Sequence, residues 1–151
     1  MQRVKISKKS EYAVRALIKM AQRAREGVPW QQISQIAEAT QIPEKFLEQI
    51  LLNLKNAGFL KSRRGIEGGY SLNLGEGQIS LDQVLIALEG PQSYVAPSEA
   101  EDSEVVAVFA EAIRQAEKAS QDQLRAKTLG MLVDEALAKR VARSRSSEYQ
   151  I

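Results

Sequence analysis

From Lys8 to Arg25 the apolar residues Tyr12, Ala13, Ala16, Leu17, Met20 and Ala21 recur at helical spacing, with charged residues between them. This pattern predicts an amphipathic helix over residues 8–25, ended by Gly27-Val28-Pro29. A short helix is predicted over residues 31–39, turning Ile33, Ile36 and Ala37 inward, with a break at Thr40-Gln41. Phe46, Leu47, Ile50, Leu51 and Leu54 then form a second apolar stripe, with Pro43 suited to a first turn and Ala57-Gly58 to a helix end. The runs FLKS and YSLNL, at 59–62 and 70–74, read as two short strands joined by a glycine-rich link.

Beyond the hairpin, Ser80 to Gln83 has the spacing of a capping box, opening a helix that runs to Leu88 and closes at Glu89-Gly90-Pro91. Residues 92–103 are a polar, acidic connection. A long helix is predicted from Glu104 to Leu124, with Val105, Val108, Phe109, Ala112, Ile113 and Ala116 along one face. Thr128 caps a last helix whose apolar face is Leu129, Leu132, Val133, Ala136 and Leu137. No segment repeats. Helix, helix, tight turn, helix and two-stranded hairpin is the order of a winged helix-turn-helix, so the expected fold is mainly α with a two-stranded β wing and a long C-terminal helix. Small Ala37 sits where two helices would cross at close range. Gln41 departs from the glycine common in such turns, which leaves either a longer turn or a glutamine at positive φ.

Composition narrows the function. The chain of 151 residues has no cysteine and no histidine. That excludes Cys/His zinc sites, thiolate-held iron–sulfur clusters, disulfides, Ser-His-Asp triads and cysteine nucleophiles. No paired carboxylates share a loop or a face, and no hydroxyl has an imidazole near it, so an enzyme finds no support. No signal-peptide core or membrane-length apolar run is visible, and the expectation is a soluble, cytoplasmic protein. The net charge of +2 is unevenly spread. Residues 1–70 hold 13 Lys and Arg against 6 Asp and Glu, whereas residues 71–151 hold 8 against 13. A basic first half suits a polyanion; both halves are equally compatible with ordinary solvated faces.

The stretch SRRGIEGGYSL, residues 62–72, concentrates the candidate chemistry. A phosphate-binding loop would need its glycines between a strand and a helix, with Lys-Ser/Thr following or a helix opening directly. Here they lie between two strands. Gly65, Gly68 and Gly69 therefore serve the turn and a close backbone approach, and Arg63 and Arg64 are expected to project from the wing, where arginine fits a narrow, negative minor groove.

The blocks SKKSEYAVRALIKMA, PEKFLEQILLNLKNAGFLKSRRGIEGGYSL, ALEGP and TLGMLV together resemble the Rrf-two family of bacterial transcription regulators, from about residue 3 to 137. The resemblance implies a homodimer, its long helix crossing to the partner, that reads a palindromic double-stranded DNA operator. It divides the chain into a winged domain at 1–78, a helical dimerisation region at 79–142 and a polar tail at 143–151. By position it places Glu44, Lys45, Phe46, Glu48 and Gln49 at the opening of the recognition helix and Arg64 in the minor groove. The chemistry of these side chains agrees in part. Gln49 can pair with adenine, and Lys45 with guanine or a phosphate. Glu44 and Glu48 can accept from cytosine, reject wrong sequences or face solvent, and Phe46 suits a thymine methyl or the core equally well. Lys8, Lys9, Arg15 and Lys5 are candidate phosphate contacts or ordinary surface charge. Cluster-binding relatives carry three cysteines in the segment corresponding to about Gln92–Glu104, and some use a carboxylate at the position of Glu11. This chain has Glu11 but no thiolate, which places it with the cluster-free, cysteine-metabolism branch and implies no cofactor. The leading expectation is a sequence-specific regulator. The alternative is a regulatory partner of a metabolic enzyme such as cysteine synthase, into which Ile151, with its terminal carboxylate, is expected to dock as such partners do.

Overall fold

The computed structural model of the chain describes residues 6–90 and 103–150. In chain order the elements are α1 (Lys8–Arg25), α2 (Ile33–Thr40), α3 (Glu44–Asn56), β1 (Leu60–Arg63), β2 (Gly69–Leu72), a 3-10 turn at Glu76–Gln78, α4 (Leu81–Glu89), α5 (Ser103–Ala126) and α6 (Leu129–Glu148). Ser7 caps α1, its hydroxyl accepting from the Ser10 amide at 3.2 Å. Alanine favours the helix and, at Ala13, Ala16 and Ala21, sets only a methyl group between α1 and its neighbours. Leu17 and Met20 fill the space between, and all five are buried. Against this face pack α2, α3, α4, α6 and β2.

α2 starts two residues later than the apolar pattern suggests. Gln31 is extended and pairs with Tyr70 of β2, amide to carbonyl in both directions at 3.0 and 2.8 Å. A backbone committed to a β-bridge is unavailable for a first helical turn. The tight turn between α2 and α3 uses a glutamine at positive φ: Gln41 sits at φ 58°, ψ 28°. A left-handed non-glycine residue costs about 1–2 kcal/mol. Local bonds oppose that cost: the Gln41 amide donates to the Glu38 carbonyl at 2.9 Å and the Thr40 hydroxyl to the Ile36 carbonyl at 2.7 Å. Ile42, just after the turn, is buried.

α3 buries Leu47, Ile50, Leu51 and Leu54. The predicted stripe was one residue too wide, since Phe46 is 62 % exposed and stays out of the core. Only the narrower set faces α1 and α2; Phe46 lies at the edge of the outward face.

The two C-terminal helices differ sharply. α6 is capped by Thr128 and sends Leu129 and Val133 into the core shared with α1. Its start is tied to that of α4 by backbone bonds Leu81 to Lys127 and Leu129 to Ile79, both 2.8 Å. Arg25 at the end of α1 holds it from below, reaching Glu76 at 2.6 Å and Asp134 at 2.7 Å. From Ala138 every residue to Gln150 is exposed, and the stretch read as a polar tail is helical as far as Glu148. α5 packs against α4, and no side chain described on it is buried. Val105, Val108 and Phe109 are 64 %, 74 % and 57 % exposed. The expected acidic connection, up to residue 102, lies outside the described residues.

One polar contact joins the start of α1 to the end of α4. Glu89, closing α4, accepts from the buried Ser10 hydroxyl at 2.6 Å and from the Ser7 amide at 2.9 Å. Those bonds, Ser10 first, hold its carboxyl below the usual carboxylate range. A depressed carboxyl stabilises the fold above its ordinary pKa and loses that contribution as pH falls through the lowered value. Ser10→Ala is expected to lower the unfolding free energy by about 1 kcal/mol at neutral pH, the low end because Glu89 keeps some solvent. The difference from wild type should narrow as pH falls through that lowered value, read by denaturant melts across the acid range.

Candidate nucleic-acid interface

The first two turns of α3 present Glu44, Lys45, Phe46, Glu48 and Gln49 to solvent. Glu44, Lys45 and Glu48 make no hydrogen bond or ion pair among the described residues. Gln49 donates from Nε2 to Asn53 Oδ1 at 3.1 Å, which aims its amide along the outer face. Asn53 had not been singled out from the sequence, although its i, i+4 spacing from Gln49 is the available signal. Of the two places open to Phe46, the structure gives it the outward one.

β1 and β2 pair antiparallel from Leu60–Leu72 to Arg63–Gly69. Gly65 and Gly69 have φ of +106° and +112°. Gly69 lies so close to the Gln31 backbone, and Gly68 to the backbone of Arg63 and Arg64, that a Cβ on either would overlap those atoms. These three glycines thus do what the sequence suggested, turning the hairpin and letting backbones touch.

Three residues before α2 strap the wing down. The Gln31 bridge fixes β2, and its buried side chain donates to the Met20 carbonyl at 3.1 Å. Gln32 Nε2 donates to the carbonyls of Gly65 and Ile66, both at 3.1 Å. The Trp30 ring lies beneath Arg63, whose guanidinium carbon is 4.1 Å from its centroid, with Lys61 at 5.7 Å. Arg63 also donates to the Glu67 carbonyl at 2.6 Å. Here the expectation needs correcting: Arg63 is held against the wing by stacking and a hydrogen bond instead of projecting from it. Arg64 is exposed and makes no hydrogen bond or ion pair within the described chain. Sequence reasoning missed Trp30, Gln31 and Gln32; the chain's single tryptophan, in a polar context after Pro29, was the signal.

On α1 the candidate phosphate contacts divide. Lys8 and Arg15 converge on Glu11 at 3.3 and 2.7 Å, and both lie over the Tyr12 ring. Arg15 further donates to the Thr40 carbonyl at 3.2 Å, where α2 ends. Lys9 is exposed without such a partner; Lys5 lies outside the described residues. Glu11 is held below the usual carboxylate range by Arg15 and then Lys8. It is spent on cations and is a poor metal donor. No group of three or more carboxylates that could hold a metal ion occurs among the described residues. With no thiolate or imidazole in the sequence, the donors present do not fit an iron–sulfur cluster. Ile151 also lies outside the described residues.

A tight-turn helix pair whose second helix is exposed at its N-terminus, followed by a strapped β wing, defines the winged helix-turn-helix class of transcription regulators. No helix among the described residues is long and apolar enough to cross a membrane. The chain belongs to the Rrf2 family, described as an iron-dependent transcriptional regulator, whose profile matches residues 6–135. A Synechocystis protein classed with the HTH-type transcriptional regulators is 41 % identical over 86 residues, 57 % of each chain. The chain therefore spans little more than half the length of that relative. CymR of Bacillus subtilis is 36 % identical over 99 residues, 66 % of this chain and 70 % of CymR. The solved structure of CymR, the global cysteine regulator of B. subtilis, superposes with a TM-score of 0.72 at 32 % identity, covering 88 % of this chain and 98 % of that one. IscR of T. potens superposes at 0.69 and 28 % identity, covering 88 % of each. These relatives are regulators, not enzymes.

The strap gives a direct test of the wing. Gly69→Ala must force a methyl onto the Gln31 backbone at positive φ and should destabilise the fold by about 2–4 kcal/mol. Gly77→Ala, whose Cβ would meet nothing within 4 Å, is the control and should change stability little. Denaturant unfolding of both variants reads the difference.

Proposed function

We propose that the chain is a sequence-specific, cytoplasmic regulator that binds a palindromic DNA operator as a homodimer, without an iron–sulfur cluster. The observation that carries this is the exposed N-terminal face of α3 packed beside a pinned wing whose Arg64 is unpaired. An unpaired cation at a preorganised tip is available to a phosphate-lined groove at little entropic cost. Gln49, Lys45, Glu44, Glu48 and Phe46 are the side chains set to meet base edges, and Lys9 to meet a phosphate. The uncovered row Val105, Val108 and Phe109 supports the dimer, since an apolar helix face of this length suits a second copy. A two-fold pair of recognition helices about 34 Å apart reads a palindrome. The donor set supports a signal other than a cluster on this chain.

Anisotropy titrations on a palindromic duplex test the reading. Arg64→Ala should weaken binding and reduce the salt slope by about one unit. Gln49→Ala should relax preference at one base pair, by about 1–3 kcal/mol. Phe109→Asp should sediment as a monomer and lose affinity for the palindrome. Wild-type affinity in both Arg64→Ala and Gln49→Ala would remove the assignment.

A second role, as regulatory partner of cysteine synthase, draws on the likeness to a regulator of cysteine. It predicts a saturable complex when the protein is titrated into purified cysteine synthase from the same cell. No binding up to about millimolar concentrations would discard it.

A further inference from the structure

The wing tip holds a residue that charge does not explain. Ile66 is 97 % exposed, flanked by Arg64-Gly65 and Glu67. An apolar side chain on a free loop would need no comment, but this loop is tied at three successive carbonyls. Those of Gly65 and Ile66 accept from Gln32, and that of Glu67 from Arg63. The Gly68 amide closes the turn onto the Gly65 carbonyl at 3.0 Å. Gly65 supplies the positive φ and Gly68 the close packing that the turn requires. So constrained, the tip has little freedom to fold Ile66 back onto the protein. A β-branched side chain is also stiff at χ1, so its apolar surface is presented in few orientations. The neighbouring Arg64 is the unpaired cation described above.

We propose that Ile66 is the apolar half of the wing's DNA contact. It enters the minor groove beside Arg64 and seats against the deoxyribose walls and the groove floor. This rests on the DNA-binding reading above. The chemistry favours that seat over the major groove. The minor groove over A·T pairs offers C–H surface and few donors, and apolar side chains are known to enter it from protein tips. Over G·C pairs the guanine N2 amino group projects into the groove. An isoleucine there meets that amino group without being able to accept from it. Ile66 therefore excludes G·C at the step it faces, while Arg64 supplies long-range attraction. The two adjacent residues divide the work: charge brings the wing in, and shape and desolvation choose where it rests.

The test uses the full chain and a duplex selected by the wild-type protein from a randomised library. Affinity is measured at several salt concentrations for wild type, Ile66→Ala and Arg64→Ala. Ile66→Ala should bind about tenfold to a hundredfold more weakly with an unchanged salt slope, because apolar contact and no cation is lost. Arg64→Ala should flatten the slope. Replacing the wing-facing A·T pairs by G·C should weaken wild type, whereas inosine·C pairs, which lack the N2 amino group, should restore it. Ile66→Ala should show a smaller G·C penalty. Ile66→Ala binding as tightly as wild type, or losing salt slope as Arg64→Ala does, overturns the proposal while DNA binding stands. Failure of the wild type to select any duplex overturns the DNA reading and this inference with it. Thermal melting of Ile66→Ala should match wild type, since the side chain touches nothing that holds the fold.

Discussion

The close approach permitted by Ala13, Ala16 and Ala21 along α1 is the constraint from which the rest of the chain takes its position. With methyl groups in place of longer side chains, four helices and a strand reach the same short cylinder. Interiors pack near crystalline density, so a larger residue at any of these positions would displace a neighbour instead of filling a gap. The interface inherits its geometry from that cylinder in a short series of contacts. The Met20 carbonyl holds the Gln31 side chain, Gln31 pairs with β2, and Gln32 and Trp30 hold the tip and flank of the wing. At the two ends of α1, Glu89 and Arg25 lock α4 and α6 to the same frame. α3 and the wing thus take their positions from α1.

What could be read from the sequence was what is decided within a few residues. α1 begins and ends where its periodicity and its Gly27-Val28-Pro29 stop indicate, and Ser80 and Gln83 form the capping box that their spacing announces. The turn role of Gly65 and Gly68 was legible because it is decided within a few residues, whereas the backbone that Gly69 meets, that of Gln31, lies far away in the chain. Phe46 was ambiguous for a physical reason: a residue at the edge of a stripe is assigned by the neighbour that covers it, and periodicity carries no information about that neighbour. The strap was hard to read for the same reason, with the single Trp30 its one local signal. Gln31 and Gln32 look like the start of a helix until Tyr70 of β2, nearly forty residues later, claims the Gln31 backbone and the wing turn claims the Gln32 side chain. Arg63 and Arg64 are chemically identical in the sequence. The Trp30 ring and the Glu67 carbonyl separate the held one from the free one.

That separation changes how the basic half of the chain should be understood. Its positive balance overstates the charge offered to a polyanion, because part of it is used in folding. Arg15 is taken by Glu11 and the end of α2, Arg25 by Glu76 and Asp134, and Arg63 by the Trp30 ring. Exposed ion pairs contribute little to stability, so Lys8 can exchange Glu11 for a phosphate more readily than Arg25 can leave its two carboxylates. Lys9, Lys45 and Arg64 need no such exchange. Position on the fold, more than the count of cations, sets which residues can act.

α5 follows a different logic from the rest. A helix of 24 residues with no described side chain buried gains little from its own chain, and helices in water owe most of their stability to a packed face. Its apolar row is left exposed among the described residues, and the proposed dimer would cover it. The consequence reaches the DNA site. If the same helix both completes its own burial and sets the separation of the two α3 helices, the spacing between half-sites is fixed by the packing of α5 and not by any contact to DNA. Loss of that packing would then remove operator affinity even though every base-facing side chain remained in place.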